Sequence, residues 1–504
     1  MTDTTGKRGQ PGKPLDGEEP NWSRSLNQYV DSDGFMALFL TALTVLYLLA
    51  YLGHPALPGN SPTAPQGWWG YWDQGHYLKS TAALAGGQLT PDTYRYPLGY
   101  PLIGSLFYRW APQHAFLIPN LVFVLGSTVL FYRISCRLVS PLEAILLMLT
   151  FIGSYLTLLS TTMVVPWNTI PTHFLSYLVI FLVGFCQPSA KRVLLAFTCV
   201  GLIFLCRPAD ALCMMVLPGL AILPLPHWGT RVRVAAAGAC IVGVFILTVL
   251  FVNQAVFGSW RTTYDTAQAQ MGVGSYSLGY KLFGLLIDGN TLFREPQAAM
   301  LRHFPWALLV LPGIVYLLLR YRTQALGVIL SVVATYALYF LFNDFWPSTI
   351  FRFGGIHYLL WTLPLIALIC YLGVKEAWRY RIGRWSYLTV PLLLFPVFFV
   401  YLRERTIGTL PAELPVLIGG SLTPAKPVDW IFFDGVYACP ELTAAGKRLI
   451  RKRDFEDSIR PDGTVVLLST KLRSSSIQVE PGSLVGLRGI QYGYLHWTVR
   501  WKRP

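Results

Sequence analysis

Charged residues are scarce in this chain. They make up 13% of its 504 residues, whereas hydrophobic residues make up 53%. A soluble globular protein carries about 25% charged residues. Because half that fraction leaves too little polar surface to cover a body of this size in water, most of the chain is expected to face lipid. The composition predicts a polytopic integral membrane protein.

Cysteine clusters and a secretion signal are lacking as well. The eight cysteines lie mostly inside apolar runs, where cysteine behaves as a small hydrophobe, and no CxxC pair or Cys/His cluster indicates a metal site. No apolar h-region follows Met1, so we expect no signal peptide. The net charge of +15 comes from Lys and Arg in short loops that orient membrane helices, so we expect no nucleic-acid partner.

Apolar segments of sufficient length recur along the chain, since a helix needs about 20 apolar residues to cross a bilayer. The eleven predicted spans are 35–53, 115–132, 141–160, 171–186, 192–206, 209–225, 234–252, 304–320, 325–342, 357–374 and 386–402. Only Arg207 and Pro208 separate the fifth span from the sixth. Basic residues follow every even-numbered span, which places those loops in the cytoplasm by the positive-inside rule.

This pattern predicts an all-α polytopic membrane protein with a small C-terminal α+β domain. The predicted parts are a disordered cytoplasmic N-terminus at 1–34, a transmembrane domain at 35–402 with external loops at 54–114, 253–303 and 343–356, and an extracytoplasmic α+β domain at 403–504. Segment 97–110 is apolar but too short to span, so we expect an interfacial helix there. In the tail, VDWIFFDGV, GTVVLLST and YLHWTVRW are predicted strands, and LTAAGKRLIRKRDFEDSI is a predicted helix.

The first external loop contains a group of polar residues at helical spacing. Asp73, His76, Tyr77 and Ser80 would share one face of a helix, with Lys79 off that face. A carboxylate grouped with His and Tyr at a membrane surface can act as a general base or bind a metal ion. The alternative is that Asp73 only caps the helix, because Asp is a preferred N-cap residue.

Cationic side chains lie at the predicted external ends of spans. The candidates are Arg207, Arg294, Arg352 and His357. Because a guanidinium binds phosphate oxygens through its planar fork, we expect two or more of them to converge beside Asp73 and hold a lipid phosphate. Lys79 and Arg95 are the next candidates. The alternative for Arg207 is an i, i+3 ion pair with Asp210.

Three motifs follow one another on the predicted external side. They are Asp73 with Tyr96-Pro97-Leu98, then Asn253 with Phe257-Gly258-Ser259 and Tyr264, then Gly354-Gly355-Ile356-His357-Tyr358. Over residues 35–402 this order resembles the GT-C superfamily of glycosyltransferases that use polyprenyl-phosphate sugars, in particular the protein mannosyltransferases and bacterial aminoarabinose transferases. The chain departs from that pattern twice, with Gln74 where many members have Glu and His357 where relatives have Arg.

The resemblance implies an inverting glycosyltransferase in a bacterial inner or plasma membrane. The donor would be a sugar on a polyprenyl phosphate in the outer leaflet, and the acceptor a glycan, lipid or protein. Asp73 would be the catalytic base or orient the acceptor, with a divalent cation near it as a possible cofactor, and cationic groups would stabilise the departing phosphate. The implied substrate-binding residues are His76, Tyr77, Lys79, Arg95, Arg207, Arg294, Arg352 and His357.

Two other classes of function stay open at this point. A transporter or lipid flippase would need ionisable residues in mid-membrane and broken helices, whereas the predicted spans are nearly free of charge. A non-catalytic scaffold would use its C-terminal tail to bind a partner, and it would be inactive with every lipid-linked sugar.

The span count predicts the side of the membrane on which each loop lies. A reporter fused after Arg322 or Arg384 should report cytoplasm, because both follow even-numbered spans. A reporter fused after Pro504 should report the exterior. A cytoplasmic signal from the C-terminal fusion would contradict the count of eleven, and fusions within 192–225 would then locate the error.

Overall fold

The structure is a computed structural model of the chain. It describes residues 21–62, 65–70, 72–154, 163–265, 282, 286–287, 301, 305–341, 355–382, 416–424, 436–438, 442–444, 447–450, 477–486 and 497–500. Most of these residues are helical. The helices, in chain order, are α1 (Asn21–Val30), α2 (Asp33–Leu52), α3 (Trp72–Gly86), α4 (Gly99–Tyr108), α5 (Leu117–Ser135), α6 (Pro141–Ser154), α7 (Thr169–Val183), α8 (Ala190–Cys206), α9 (Pro208–Ala221), α10 (Trp228–Phe257), α11 (Val310–Leu341) and α12 (Thr362–Ile382).

Four helical segments are long and apolar enough to cross a membrane. They are Asp33–Leu52, Pro112–Ser135, Trp228–Phe257 and Ala307–Leu341. Two of them, α2 and α10, bury only 11% and 17% of their most apolar windows inside the protein. Side chains such as Leu49 and Phe251 therefore point outward, at 63% and 61% exposure. Apolar surface of this extent is favourable against lipid and costly in water, as expected of a membrane protein.

Helices occupy most of the other predicted spans, although the count of eleven stays a prediction. The fifth and sixth predicted spans coincide with helices α8 and α9, which are separated at Arg207 as expected. The eighth and ninth predicted spans coincide with the two halves of α11, whose backbone leaves the helical conformation at Arg322 with φ 41°. The third predicted span is helical over α6, and residues 155–162 lie outside the described residues. The eleventh predicted span, 386–402, also lies outside them.

The N-terminal segment differs from its prediction. Residues 21–30 form α1, so the disorder expected over 1–34 is wrong for this part, and residues 1–20 lie outside the described chain. Packing holds this polar helix in place. Val30 is buried in the main core, and the Asn27 side-chain carbonyl accepts the N–H of Leu142 at the start of α6.

Six short strands in the tail form an antiparallel sheet. They are β1 (Val416–Pro424), β2 (Val436–Ala438), β3 (Leu442–Ala444), β4 (Lys447–Ile450), β5 (Ile477–Gly486) and β6 (Trp497–Arg500), in the order β4-β3-β5-β1-β6 with β2 also paired to β5. The helix predicted from Leu442 is therefore wrong where β3 and β4 pair as a hairpin. The predicted strand GTVVLLST lies outside the described residues, and a separate α+β domain stays a prediction.

A buried ion pair joins α6 to α12. The Glu143 carboxylate lies 2.9 Å from the Lys375 ammonium, and both residues are less than 10% exposed. Tyr371 donates its hydroxyl hydrogen to Glu143 at 2.6 Å, and Ser140 donates both its N–H and its hydroxyl. The carboxylate thus has the donors that a buried charge requires.

Breaking this pair from one side should destabilise the protein strongly. Lys375→Met leaves the Glu143 charge buried without its counter-ion, so we expect a loss of about 3–5 kcal/mol in the free energy of unfolding. Adding Glu143→Gln should recover much of it. The matched control is Asp31→Asn, which breaks the exposed pair with Arg133 and should cost about 0–1 kcal/mol. Thermal unfolding in detergent measures all three, and equal losses in Lys375→Met and Asp31→Asn would contradict the prediction.

Candidate functional site

The candidate site is built on α3, a helix of the first predicted external loop. Asp73 lies in its first turn. The predicted polar face is confirmed, because Tyr77 and Ser80 are buried by the segment that follows the helix, while Asp73 and His76 are half-buried. Lys79 lies off this face and is exposed.

Segment 93–96 covers the polar face of α3. Tyr96 donates its hydroxyl hydrogen to Asp73 Oδ1 at 2.5 Å, and Ser80 donates to the carbonyl of Thr93 at 2.5 Å. The Tyr96 ring lies 5.2 Å from the ring of Tyr77, centroid to centroid. A role for Asp73 as a helix cap alone does not account for its bond with Tyr96.

A tyrosine cluster lies beneath these contacts. Its buried members are Tyr77, Tyr96, Tyr100, Ala115 and Phe116, and Trp69, Trp167 and Tyr264 pack against it. The α4 helix, which confirms the helix predicted in 97–110, contributes Tyr100 to this cluster. Gly99, at the start of α4, lies directly against Leu205 and Cys206, where a Cβ would approach the Cys206 sulfur to 2.8 Å. Glycine at this position therefore allows α4 to sit against the end of α8.

The end of α10 holds segment 93–96 from the other side. Tyr94 donates its hydroxyl hydrogen to Asn253 Oδ1 at 2.6 Å, and its ring packs 5.3 Å from the ring of Phe257. The helix ends at Gly258, whose φ of 64° is the left-handed conformation that favours glycine. Tyr264 then packs its ring 4.8 Å from Tyr96. The second sequence motif thus contacts the segment that holds Asp73.

Positive charge surrounds the His76 imidazole. Burial, together with the charges of Arg95 and Lys79, lowers the pKa of His76 to about 4. The imidazole is therefore neutral at pH 7. Its ring packs edge-on against Tyr96 at 6.0 Å. Lys79, which is exposed, and Arg95, which is half-buried, are therefore the two cations whose charges act on His76.

Arg207 makes a dense set of contacts at the junction of α8 and α9. Its Nε lies 2.9 Å from Asp210 Oδ2, which confirms the i, i+3 ion pair. Its two terminal nitrogens donate to Asn168 Oδ1 at 2.9 Å and to the Tyr339 hydroxyl at 2.6 Å. The guanidinium also lies 4.6 Å from the centre of the Tyr358 ring.

The charges of Asp73 and Arg207 both reach the Tyr77 phenol. Burial raises the pKa of Tyr77 well above its usual value, Asp73 raises this pKa further, and Arg207 opposes the change. The acid of the first motif and the cation of the α8–α9 junction therefore both act on one residue of the tyrosine cluster.

His357 and Arg207 both contact the ring of Tyr358, whereas the predicted convergence of two or more of the four cations beside Asp73 stays a prediction. The His357 ring stacks on Trp167 at 4.0 Å and lies 4.1 Å from the Tyr358 ring, over which Arg207 sits. The carbonyl of His357 is 3.0 Å from Nε2 of His173. Trp167 also contacts the tyrosine cluster, so it connects His357 to the Asp73 side. Arg294 and Arg352 lie outside the described residues.

A metal site near Asp73 stays a prediction. In the ranges that the structure describes, no three His, Cys, Asp or Glu side chains come close enough together to hold a metal ion. Gln74, where many members of the resembled family have Glu, is buried and donates its side-chain N–H to the carbonyl of Pro166 at 3.2 Å. The side-chain amide of Gln74 can donate this hydrogen bond, whereas the ionised carboxylate of a Glu could only accept one.

Tyr94 and Tyr96 are the site residues that the sequence did not identify. Both precede α4 in the run YRYP, which carries three hydrogen-bonding side chains in a row before a helix. That run was the available signal, but their partners Asn253 and Asp73 are separated from them by 159 and 23 positions.

Comparison with models of known protein families, with curated protein sequences and with solved structures finds no match to this chain.

Proposed function

We propose that this protein is a membrane glycosyltransferase that moves a sugar from a polyprenyl phosphate to an acceptor on the outer face of the membrane, with inversion. The observation that carries the proposal is the half-buried Asp73 carboxylate, bonded by Tyr96 at 2.5 Å on the helix face where the charges of Lys79 and Arg95 act on His76. The site is attached to helices that are apolar and long enough to cross a bilayer.

Such a transfer needs a base that takes the proton of the acceptor and positive charge that stabilises the departing phosphate. The acceptor oxygen attacks the anomeric carbon, the bond from that carbon to the phosphate oxygen breaks, and the lipid phosphate leaves as an anion. Asp73 takes the acceptor proton as general base. Arg95 and Lys79 stabilise the negative charge that collects on the phosphate.

Arg95 and Lys79 suit the phosphate better than Arg207 does. Asp210 already neutralises Arg207, and the pair is buried with side-chain exposures of 12% and 3%. A phosphate placed there would meet little net positive charge. Arg95 is half-buried and Lys79 exposed, so both can reach an anion that arrives from the membrane surface.

The α4 helix supplies an apolar surface next to the site for the donor's lipid chain. Leu102 and Leu106 on α4 and Trp110 just after its end recur every four residues and are 51%, 64% and 81% exposed. The opposite face buries Tyr100 in the tyrosine cluster. An amphipathic helix of this kind suits the boundary between lipid and water, where a polyprenyl phosphate carries its charge.

A transporter or flippase is the second candidate. It is favoured by Thr169, His173 and Ser176, which lie at helical spacing on α7 and are buried. Their side-chain atoms Oγ1, Nδ1 and Oγ have no hydrogen-bond partner among the described residues. Buried polar groups in a membrane helix are typical of a transport path. Reconstituted protein that moves a labelled lipid-linked sugar across vesicles without transferring the sugar would favour this function.

The proposal predicts that Asp73→Asn abolishes sugar transfer. Asn keeps the size and caps a helix about as well as Asp, but it cannot take a proton. We expect turnover of a polyprenyl-phosphate sugar to fall by about 10²–10⁴ at equal protein, with normal membrane insertion. The control is Asp92→Asn, an exposed carboxylate of the same loop, which should keep full activity. Turnover of Asp73→Asn within about twofold of wild type would reject Asp73 as the base.

Arg95→Gln should weaken donor binding. The loss of one charged hydrogen-bonding partner of the phosphate should raise the KM for the lipid donor by about tenfold or more. Arg109→Gln removes an exposed arginine whose guanidinium donates to the carbonyl of Ala85, and it serves as the control. Equal KM values for the two variants would remove Arg95 from the phosphate site.

A further inference from the structure

We propose that Tyr96 is a positioning residue for Asp73: its hydroxyl holds Oδ1 of the carboxylate and leaves Oδ2 for the acceptor. This inference deepens the proposed function and rests on it for the role of Asp73. The contact between the two side chains can be tested separately.

The hydrogen bond defines which carboxylate oxygen is engaged. Tyr96 donates to Oδ1 of Asp73 at 2.5 Å, the short distance typical of a hydroxyl bonded to a charged oxygen. Within the described chain, no other group donates to this carboxylate. Asp73 is half-buried, whereas Tyr96 is only 8% exposed. A ligand would therefore reach the carboxylate and not the phenol.

Surrounding rings prevent Tyr96 from turning away. Tyr77 packs against it from α3 at 5.2 Å, and Tyr264 packs from the segment after α10 at 4.8 Å. Two residues earlier, Tyr94 fixes the backbone by its bond to Asn253. The hydroxyl therefore has a fixed direction before any substrate binds, which is the condition for a group that orients a catalytic side chain.

The phenol stays a donor throughout the useful pH range. Burial and the neighbouring Asp73 carboxylate raise the pKa of Tyr96 well above its usual value. The titratable or charged groups around this pair are His76, Tyr77 and Lys79 on α3, Arg95 beside Tyr96, Tyr264 after α10, and Arg207 across the cluster.

The test compares Tyr96→Phe with Tyr100→Phe in the full-length protein. Both remove one hydroxyl from the tyrosine cluster, but Tyr100 donates to Asn120 and not to Asp73. A water-soluble carbodiimide with an amine trap labels accessible carboxyl groups at one fixed pH, and mass spectrometry follows the label on Asp73. Because Oδ1 loses its hydrogen bond in Tyr96→Phe, we expect the rate at which Asp73 is labelled to rise about fivefold in that variant and to stay at the wild-type value in Tyr100→Phe.

Turnover gives the second readout. In Tyr96→Phe, kcat should fall about tenfold with an unchanged KM, whereas Tyr100→Phe should keep the wild-type values of both. Labelling of Asp73 that is equal in both variants, or shifted equally by both, would overturn the inference. A labelling shift confined to Tyr96→Phe, with no shift in turnover, would leave the Tyr96–Asp73 contact standing and reject Asp73 as the base instead.

Discussion

The packing of the helices depends on how the buried charge of Arg207 is satisfied. An isolated guanidinium taken out of water is unfavourable by several kcal/mol unless other groups pair with it and accept its hydrogen bonds. Asp210 supplies the charge from α9, Asn168 an amide oxygen before α7, and Tyr339 a hydroxyl from α11. Three helices are therefore fixed around the point where α8 ends, and α4 sits against that same end through Gly99.

Buried aromatic residues connect this junction to the polar site. Tyr77 is buried in the tyrosine cluster, and the charges of Asp73 and Arg207 both act on its phenol. Asp73 itself is half-buried, and it is bonded by Tyr96 of the same cluster. Tyrosine suits such a place, because it combines an apolar body with a hydroxyl that can bond to a polar group.

Local spacing explains which parts could be predicted from the sequence. The polar face of α3 and the pair of Arg207 with Asp210 follow from i, i+3 and i, i+4 geometry, and the apolar lengths predicted most helices. Contacts between distant segments were not predictable, because no short pattern encodes the pairing of Tyr96 with Asp73. The α1 helix was missed for the same reason: its polar composition suggests disorder, and only its packing on α6 stabilises it. The β3–β4 hairpin likewise replaced a helix that propensity favoured.

The ion pair with Asp210 gives Arg207 a structural role. A cation that is neutralised by a carboxylate in this way holds helices together and has little net charge to offer a ligand. An exposed cation such as Lys79 can pair with an arriving anion, at the cost of screening by salt. Lys79 and Arg95 both act on His76, which lies on the same face as Asp73. The sequence left two roles open for Arg207, because it shows Asp210 three residues later but not what else the guanidinium contacts. The structure adds Asn168 and Tyr339 to that pair, so the donors of Arg207 are engaged within the protein. Under the proposed function, the positive charge for a ligand therefore comes from the residues around α3.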